Sequence, residues 1–384
     1  MKSAEIGARR CEPTAGANHI QAVRLARIHS AVWRRFPASF LYRHATQDTS
    51  RALDPITHGL LAATAAQALI GRRLGYRAAL FGGVAGLLPD LDVLIGSPAD
   101  PLLAIEYHRQ FTHALAFIPV GGTISALPWL LRERNRAQWK PLVAATTVGY
   151  ATHGLLDACT TYGTQLFWPF SSYRAAFNWI SIIDPVFTLA LLVGVVFGLR
   201  KRTVRPPAIA LTFCAAYLGI GAVQEQRALD VQRRIAEMRG HEISRGAVFP
   251  TLGNQIVWRS LYRSGDTLYA NRIRVPWLGE PTWSQGNAVA ALRVDEPLPE
   301  AGRYPRVQLD FERFRWFSDG WIARAPKEPE VIGDVRYSLR SDAFDPVWGV
   351  RFRPGAPVPT EWVDRSANRE LALAALWAEI LGRR

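Results

Sequence analysis

Two residues four apart in an apolar run open the functional reading: His153 and Asp157, within Thr146–Thr161. An i, i+4 pair lies on one helix face. The two could ligate one metal ion together, or Asp157 could orient a ligating imidazole; the plainer alternative is a neutral His–Asp hydrogen bond packing two helices. Ionisable groups at membrane depth are costly and are functional candidates by default. The same logic selects Asp90 and Asp92, which follow Pro89 at the end of another apolar run. Residues two apart diverge on a helix, so both can reach one ion only where the backbone is irregular, as Pro89 with Gly86 and Gly96 permits; otherwise they cap a helix end at a water-exposed bend. His108 and His113 would stand about 140° apart on a helix. His108 is therefore expected in a loop and His113 in a first helical turn, with Thr112 as N-cap. Arg109 beside them could hold an anionic oxygen or meet lipid headgroups. His58 follows Asp54-Pro55, an N-cap and first-turn proline. Asp184-Pro185 repeats that start, and both acids read as structural.

His58, His108, His113 and His153 with Asp90, Asp92 and Asp157 make a mixed nitrogen and oxygen donor set. It suits Zn²⁺ first, then Mn²⁺ or Fe²⁺, better than Ca²⁺ or Cu⁺. The set could hold two ions, or one ion with supporting residues. A bound metal would lower the pKa of a water and polarise a scissile group. A carboxylate off the metal, Asp92 or Glu106, would then serve as general base.

These residues need elements to position them, and the elements expected are membrane helices. Six apolar stretches run through Ile56–Ile70, Ala78–Ile95, Ala114–Leu131, Leu142–Cys159, Ile180–Leu199 and Ala208–Val223. Several approach the roughly 20 residues that cross a bilayer. The loops Arg72–Arg77, Arg132–Lys140 and Arg200–Arg205 carry eleven basic residues, whereas Gly96–Thr112 and Thr161–Trp179 carry only Arg109 and Arg174. The positive-inside rule puts the first three loops in the cytoplasm and the other two outside, where all seven candidate ligands also fall. Aromatic residues from Tyr162 to Trp179 fit an interfacial belt on that outer side.

The whole chain has 384 residues, 49% hydrophobic and 20% charged, with a net charge of +14. That composition excludes disordered and low-complexity scaffolds, and three cysteines make no disulfide framework. Residues 1–52 are basic, with a weakly amphipathic helix expected near Ile20–Phe36 and no signal peptide of the usual build. Their nine basic residues conflict with an outer location.

After Val223 the chain reads as a soluble α+β region. Gln224–Arg239 has the pattern of a polar helix closed by Gly240. Gln255–Tyr262 and Thr267–Val275 alternate as strands around Ser264-Gly265-Asp266. Arg306–Phe311, Val331–Leu339 and Val347–Phe352 are further strand candidates, and Glu361–Leu381 reads as a closing helix. Trp258, Trp277, Trp283, Trp316, Trp321 and Trp348 are expected to pack a small β core. The fold class is thus mainly α: a multi-span helical domain of about six helices over 53–223, then a smaller α+β domain over 224–384 with an antiparallel sheet.

The ordered motifs Asp54-Pro55-Ile56-Thr57-His58-Gly59, Leu87-Leu88-Pro89-Asp90-Leu91-Asp92, His108-Arg109-Gln110-Phe111-Thr112-His113, His153-Gly154-Leu155-Leu156-Asp157, Thr160-Thr161-Tyr162-Gly163-Thr164-Gln165 and Ile183-Asp184-Pro185 resemble the YdjM-type family. The resemblance is close from Asp54 to Leu199 and looser in the tail. It implies a bacterial inner-membrane protein and a metal-dependent hydrolase, an activity that is itself inferred for the family. One member is described as LexA-binding, but a tail on the outer face would not meet such a partner, and no nucleic acid is expected. Gln110 departs from the family pattern, at a position that is no candidate ligand. Family members begin near the first motif, where Leu53 stands here, so residues 1–52 are expected to be a misassigned start or a lineage-specific extension. An outer-face site favours a lipid-linked phosphoester or ester substrate, with Arg109 and Arg174 suited to phosphate. A regulatory membrane protein with a structural metal and a divalent-metal transporter are the competing readings.

Overall fold

A computed structural model describes residues 49–292, 298, 302–365 and 376–382. The helix expected at Ile20–Phe36 lies outside them. Six helices form the first region: α1 (Thr49–Leu74), α2 (Arg77–Ala85), α3 (Ile118–Leu130), α4 (Trp139–Ala158), α5 (Pro185–Arg200) and α6 (Arg205–Met238). α1 begins at Thr49 and carries Pro55 inside it, so the expected helix start at Asp54-Pro55 is not where the helix begins. Asp184 does cap α5: its Oδ1 accepts from the backbone N–H groups of Val186 and Phe187 at 3.0 Å, and Tyr217 donates to its other oxygen at 2.9 Å.

The helices do not amount to six separate spans. Among the described residues α6 alone is long and apolar enough to cross a bilayer. Leu103–His113 with Leu115–Leu130, bent by 58°, pass only when taken together. The apolar run Ala78–Ile95 breaks after Ala85 into a 3-10 turn at Pro89–Leu94, leaving α2 with 9 residues, about 14 Å of helix. α5 has only 16 residues. α1 and α4 are long, but threonines, glycines and the ionisable cluster dilute their apolar character.

α1, α2 and α4 approach closely through small residues. A Cβ on Gly149 would meet the Gly82 carbonyl oxygen at 2.2 Å, and one on Gly86 would meet Ala62 Cβ at 2.2 Å. This crowding brings the His58–Ala62 turn of α1, the end of α2 and the second half of α4 to one level.

α6 runs unbroken through Val223 to Met238, absorbing the polar helix expected separately, and Gly240 follows it with φ +65°. Two four-stranded antiparallel meanders come next: β1 (Arg245–Pro250), β2 (Val257–Ser264), β3 (Thr267–Arg274) and β4 (Thr282–Ala290), then β5 (Ile322–Ala325), β6 (Glu328–Asp334), β7 (Trp348–Phe352) and β8 (Thr360–Asp364). The hairpin read around Gly265-Asp266 is present, with Ser264 facing Thr267. Helix α7 (Pro305–Phe317) separates the sheets.

α7 replaces the strand expected at Arg306–Phe311. Pro305 starts it, Arg306 and Asp310 pair at i, i+4, and Val307, Phe311 and Phe314 recur on its buried face. Residue 361, the expected start of the closing helix, lies in β8 instead; residues 366–375 are outside the described set, and 376–380 are helical.

The layers follow from strand alternation. Trp258 and Ile273 pack against Ala228, Val231 and Ile235 of α6. On the opposite face Leu261, Leu268 and Ala270 meet Trp321, Ala323 and Phe344 of the second sheet. The far side of that sheet, Ile322, Ile332 and Val350, packs on Phe311, Phe314 and Phe317 of α7. The order is helix, sheet, sheet, helix. Trp258 and Trp321 lie in this core, whereas Trp277 and Trp283 are exposed.

Candidate metal centre

Most site residues sit where an element ends or breaks. His58 is the exception, in the third turn of α1, whereas His153 and Asp157 lie in the last two turns of α4. Asp90 and Asp92 lie in the 3-10 turn forced by Pro89, the irregular backbone they need to converge. His108 follows the single-turn helix Leu103–Tyr107. His113 closes a 3-10 turn at Phe111–His113 rather than opening a helix. A Cβ on Gly154 would meet the His113 carbonyl oxygen at 2.3 Å, so glycine there admits the turn.

All seven predicted ligands converge. Three groups have metal-compatible spacing: His58, His153 and Asp157; Asp90, His113 and His153; and Asp90, Asp92 and His108. His58 Nε2 is 3.2 Å from Asp157 Oδ1, and its ring stacks on His153 at 3.8 Å between centroids. His153 Nε2 is 3.1 Å from Asp90 Oδ1 and 3.5 Å from Asp157 Oδ2. His113 Nε2 is 3.2 Å from Asp157 Oδ2 and 3.5 Å from Asp90 Oδ1. Most of these side chains are sealed. Asp90 at 25% and His108 at 20% side-chain exposure reach the surface, so access is from their side.

Proton positions follow from the partners. His153 Nδ1 lies 2.6 Å from the Gly86 carbonyl, which can only accept, so Nδ1 carries the hydrogen and Nε2 the lone pair. Thr112 Oγ1 gives its hydrogen to Asp92 Oδ2 at 2.7 Å. His113 Nδ1, 2.9 Å from that hydroxyl, is therefore the donor. Its Nε2 lone pair then faces carboxylate oxygens, as does that of His153. Among the described residues neither His113 Nε2 nor Asp157 Oδ2 has a hydrogen-bond partner. Buried acceptors aimed at one another cost free energy unless a cation lies among them. The residues thus fit a divalent metal.

Arg109 ties the loops together. Its φ of 63° is left-handed, a conformation that costs a non-glycine residue about 1–3 kcal/mol. This turns its backbone N–H toward Asp92 Oδ2 at 3.0 Å, while its guanidinium reaches Asp157 Oδ1 and Thr160 Oγ1, each at 3.1 Å. Asp90 and Asp92 lie in a turn outside the candidate spans. Burial works against their charge, yet hydrogen bonds and attraction from His108, His113 and His153 hold both carboxyls well below the usual carboxylate range.

Four predicted roles meet a different geometry. Glu106 is in none of the groups: its Oε2 accepts from Arg313 Nε at 2.9 Å and Nη2 at 2.7 Å. Arg109 spends its guanidinium on Asp157 and Thr160. Arg174 donates to the carbonyls of Tyr162 and Gly163 and lies over the rings of Tyr162, Trp316 and Phe317. Thr112 supports Asp92 instead of capping a helix.

Several contributors were missed. Gly86 supplies a carbonyl, Tyr150 donates to the Thr112 carbonyl at 2.8 Å, and Thr160 holds Arg109. From the sheets, Arg336 donates to the carbonyls of Thr161 at 3.2 Å and Tyr162 at 3.4 Å. Thr160 and Tyr162 stand in a motif already singled out. Arg313 and Arg336 carry no signal in the linear sequence.

This arrangement occupies the part of the chain that has known relatives. Residues 53–228 match the family described as YdjM inner membrane protein. The resemblance carried by the motifs therefore holds over the YdjM region, which contains every residue of the centre. The chain is also 26% identical over 188 residues to the Bacillus subtilis protein named "Uncharacterized protein YfhP". That match covers 48% of this chain and 55% of the relative, so the chain spans about half of that relative's length. No solved structure matches.

Proposed function

We propose that the protein is a membrane-bound, metal-dependent hydrolase. The observation that carries this reading is the buried set of imidazole lone pairs and carboxylate oxygens pointing at one another, with a mouth at Asp90 and His108. When bound, a divalent metal supplies an acidic water and a polarised scissile bond. The chain's own residues hold and screen that chemistry. Asp92 fixes His108, Arg109 neutralises one carboxylate, and α4 and Tyr162 exclude bulk water behind the mouth. Asp92 and Glu106 are both committed to strong donors, which weakens the base role for either; Asp90 is the carboxylate closest to solvent.

The mouth also favours an amphiphilic substrate. Leu91, Val93 and Leu94 flank Asp90 and are each more than half exposed. A lipid-linked phosphoester or ester would place its chain on these residues and its polar group at the centre. Arg174 uses only Nη2 on the Tyr162 and Gly163 carbonyls, and its Nε and Nη1, without hydrogen-bond partners among the described residues, are the candidates for a phosphate oxygen. Multi-pass insertion with the centre and the sheets on the outer face agrees with the basic loops and with exposed Leu189, Leu192, Val193 and Phe197 along α5.

The test uses detergent-purified protein loaded with Zn²⁺ or Mn²⁺ and given matched soluble and lipid-linked phosphoesters and carboxylic esters in mixed micelles. Chelator-sensitive turnover favouring the lipid-linked form is the expected result. Turnover of soluble esters alone, without lipid dependence, would contradict the substrate assignment, and no turnover of any ester would leave the regulatory reading. An impermeant thiol reagent on Leu278→Cys in intact cells checks the orientation: labelling is expected, and protection overturns it.

A further inference from the structure

We infer that the seven candidate ligands divide into four that bind a single cation, Asp90, His113, His153 and Asp157, and three that orient them, His58, Asp92 and His108. This rests on the metal reading above and refines it.

The four form a closed ring in which carboxylate oxygens alternate with imidazole nitrogens. Around it the separations are 3.5 Å (Asp90 Oδ1 to His113 Nε2), 3.2 Å (His113 Nε2 to Asp157 Oδ2), 3.5 Å (Asp157 Oδ2 to His153 Nε2) and 3.1 Å (His153 Nε2 to Asp90 Oδ1). Donor atoms about 2.0–2.2 Å from one ion lie roughly 3.0–3.5 Å from their neighbours. Both imidazoles have committed Nδ1 as a donor, so both present a lone pair to the ring.

Asp92 has the opposite character. Its Oδ1 accepts from His108 Nδ1 at 2.7 Å, and its Oδ2 is approached by Arg109 N at 3.0 Å, Thr112 Oγ1 at 2.7 Å and His113 Nδ1 at 3.3 Å. A carboxylate offers about four lone-pair sites; three donors crowd Oδ2 and His108 takes one of the two sites on Oδ1. Asp92 is thus mostly committed to donors. At 2.7 Å the His108 contact is also shorter than the spacing of two ligands on one ion. His58 is paired to the Asp157 oxygen that points away from the ring, beside the Arg109 guanidinium.

Charge gives the same count of ions. Asp90, Asp92 and Asp157 contribute three negative charges and Arg109 one positive, so one divalent ion makes the buried site neutral. A second would leave it two charges positive, at a large desolvation cost.

The experiment is metal analysis of the full chain in detergent after equilibration with Zn²⁺. About one ion per chain is expected, absent from His153→Ala and Asp157→Asn. Asp92→Asn and His58→Ala should still bind one ion, with affinity lower by about 10–100-fold, as for outer carboxylate partners of ligating histidines. Loss of the ion from Asp92→Asn as complete as from His153→Ala, in protein that remains folded by circular dichroism, overturns the division. X-ray absorption of the unmutated Zn²⁺ protein needs no variant: two imidazoles per zinc are expected, and three or four overturn it. Two ions per chain would defeat this inference while leaving the metal reading intact. No ion at all would defeat both.

Discussion

The two regions of the molecule are built with opposite polarity. In the sheet region Val307, Phe311, Phe314, Ile332 and Val350 are inside, and arginine–carboxylate pairs such as Arg351–Glu328 and Arg353–Glu361 lie toward solvent. In the YdjM region the buried set includes Thr64, Gln67, Thr146, His153 and Asp157, and the exposed set is rich in leucine, valine and phenylalanine. Under the proposed insertion the same chain is folded against two surroundings. Where water is outside, burying apolar surface stabilises the fold. Where hydrocarbon is outside, apolar groups gain little by burial, so packing of small residues and polar contacts carries the interior.

The contrast can be broken most strongly by paired truncations. Phe314→Ala should destabilise the sheet region by about 3–5 kcal/mol, as for a buried aromatic. Leu189→Ala, on a residue 59% exposed, should change stability in detergent by less than about 0.5 kcal/mol. Denaturant titration of both variants checks this, and similar losses would erase the difference between the regions.

A charge placed on each surface is the next probe. Phe213→Arg, at a position 45% exposed near the middle of the proposed lipid-spanning part of α6, should cost about 2.5–3.5 kcal/mol of membrane insertion. Leu278→Arg, at a position 91% exposed beyond β3, should cost little. The fraction of protein in the membrane pellet reads both.

A smaller effect is expected where the regions join. Arg313 reaches Asp100 and Glu106 from α7. Arg313→Ala should cost about 1.5–3 kcal/mol, the range for hydrogen bonds to charged groups, and should loosen the segment that carries His108. Hydrogen exchange confined to Asp100–His108 would show it. The mildest probe is acid. Ligating imidazoles must be neutral, so metal affinity should fall as the pH is lowered. The sheet region should keep its circular dichroism through the same titration; unfolding of the sheets in step with metal loss would mean the regions are not separable.

The sequence made the centre legible for one reason. His58, Asp90, Asp92, His113, His153 and Asp157 are costly in or beside apolar runs, so each announces itself without an alignment. Their division of labour was not legible, because it depends on which atom each one faces. Glu106 looked available because its partner, Arg313, is 207 residues away. Apolar length is visible in a sequence and backbone breaks are not: the run that reads as continuous from Ala78 to Ile95 breaks after Ala85 into the turn at Pro89. Arg306–Phe311 was misread because Val307 and Phe311 satisfy both strand alternation and helical i, i+4 spacing. Only Phe314 and the Arg306–Asp310 pair separate the two.

The continuity of α6 has a mechanical consequence. Its 34 residues make a rod about 51 Å long, against a hydrocarbon layer of about 30 Å. Under the proposed insertion roughly 20 Å stands clear of the lipid, and the first sheet is fastened to that upper part through Gln224, which donates to the carbonyls of Gln255 and Val275, and Gln232, which donates to those of Ala247 and Leu261. With no proline and no glycine beyond Gly221 until the helix ends, the rod acts as a ruler. On the proposed membrane reading it sets how high the sheets ride above the bilayer, and so how tall a lipid headgroup passes beneath them.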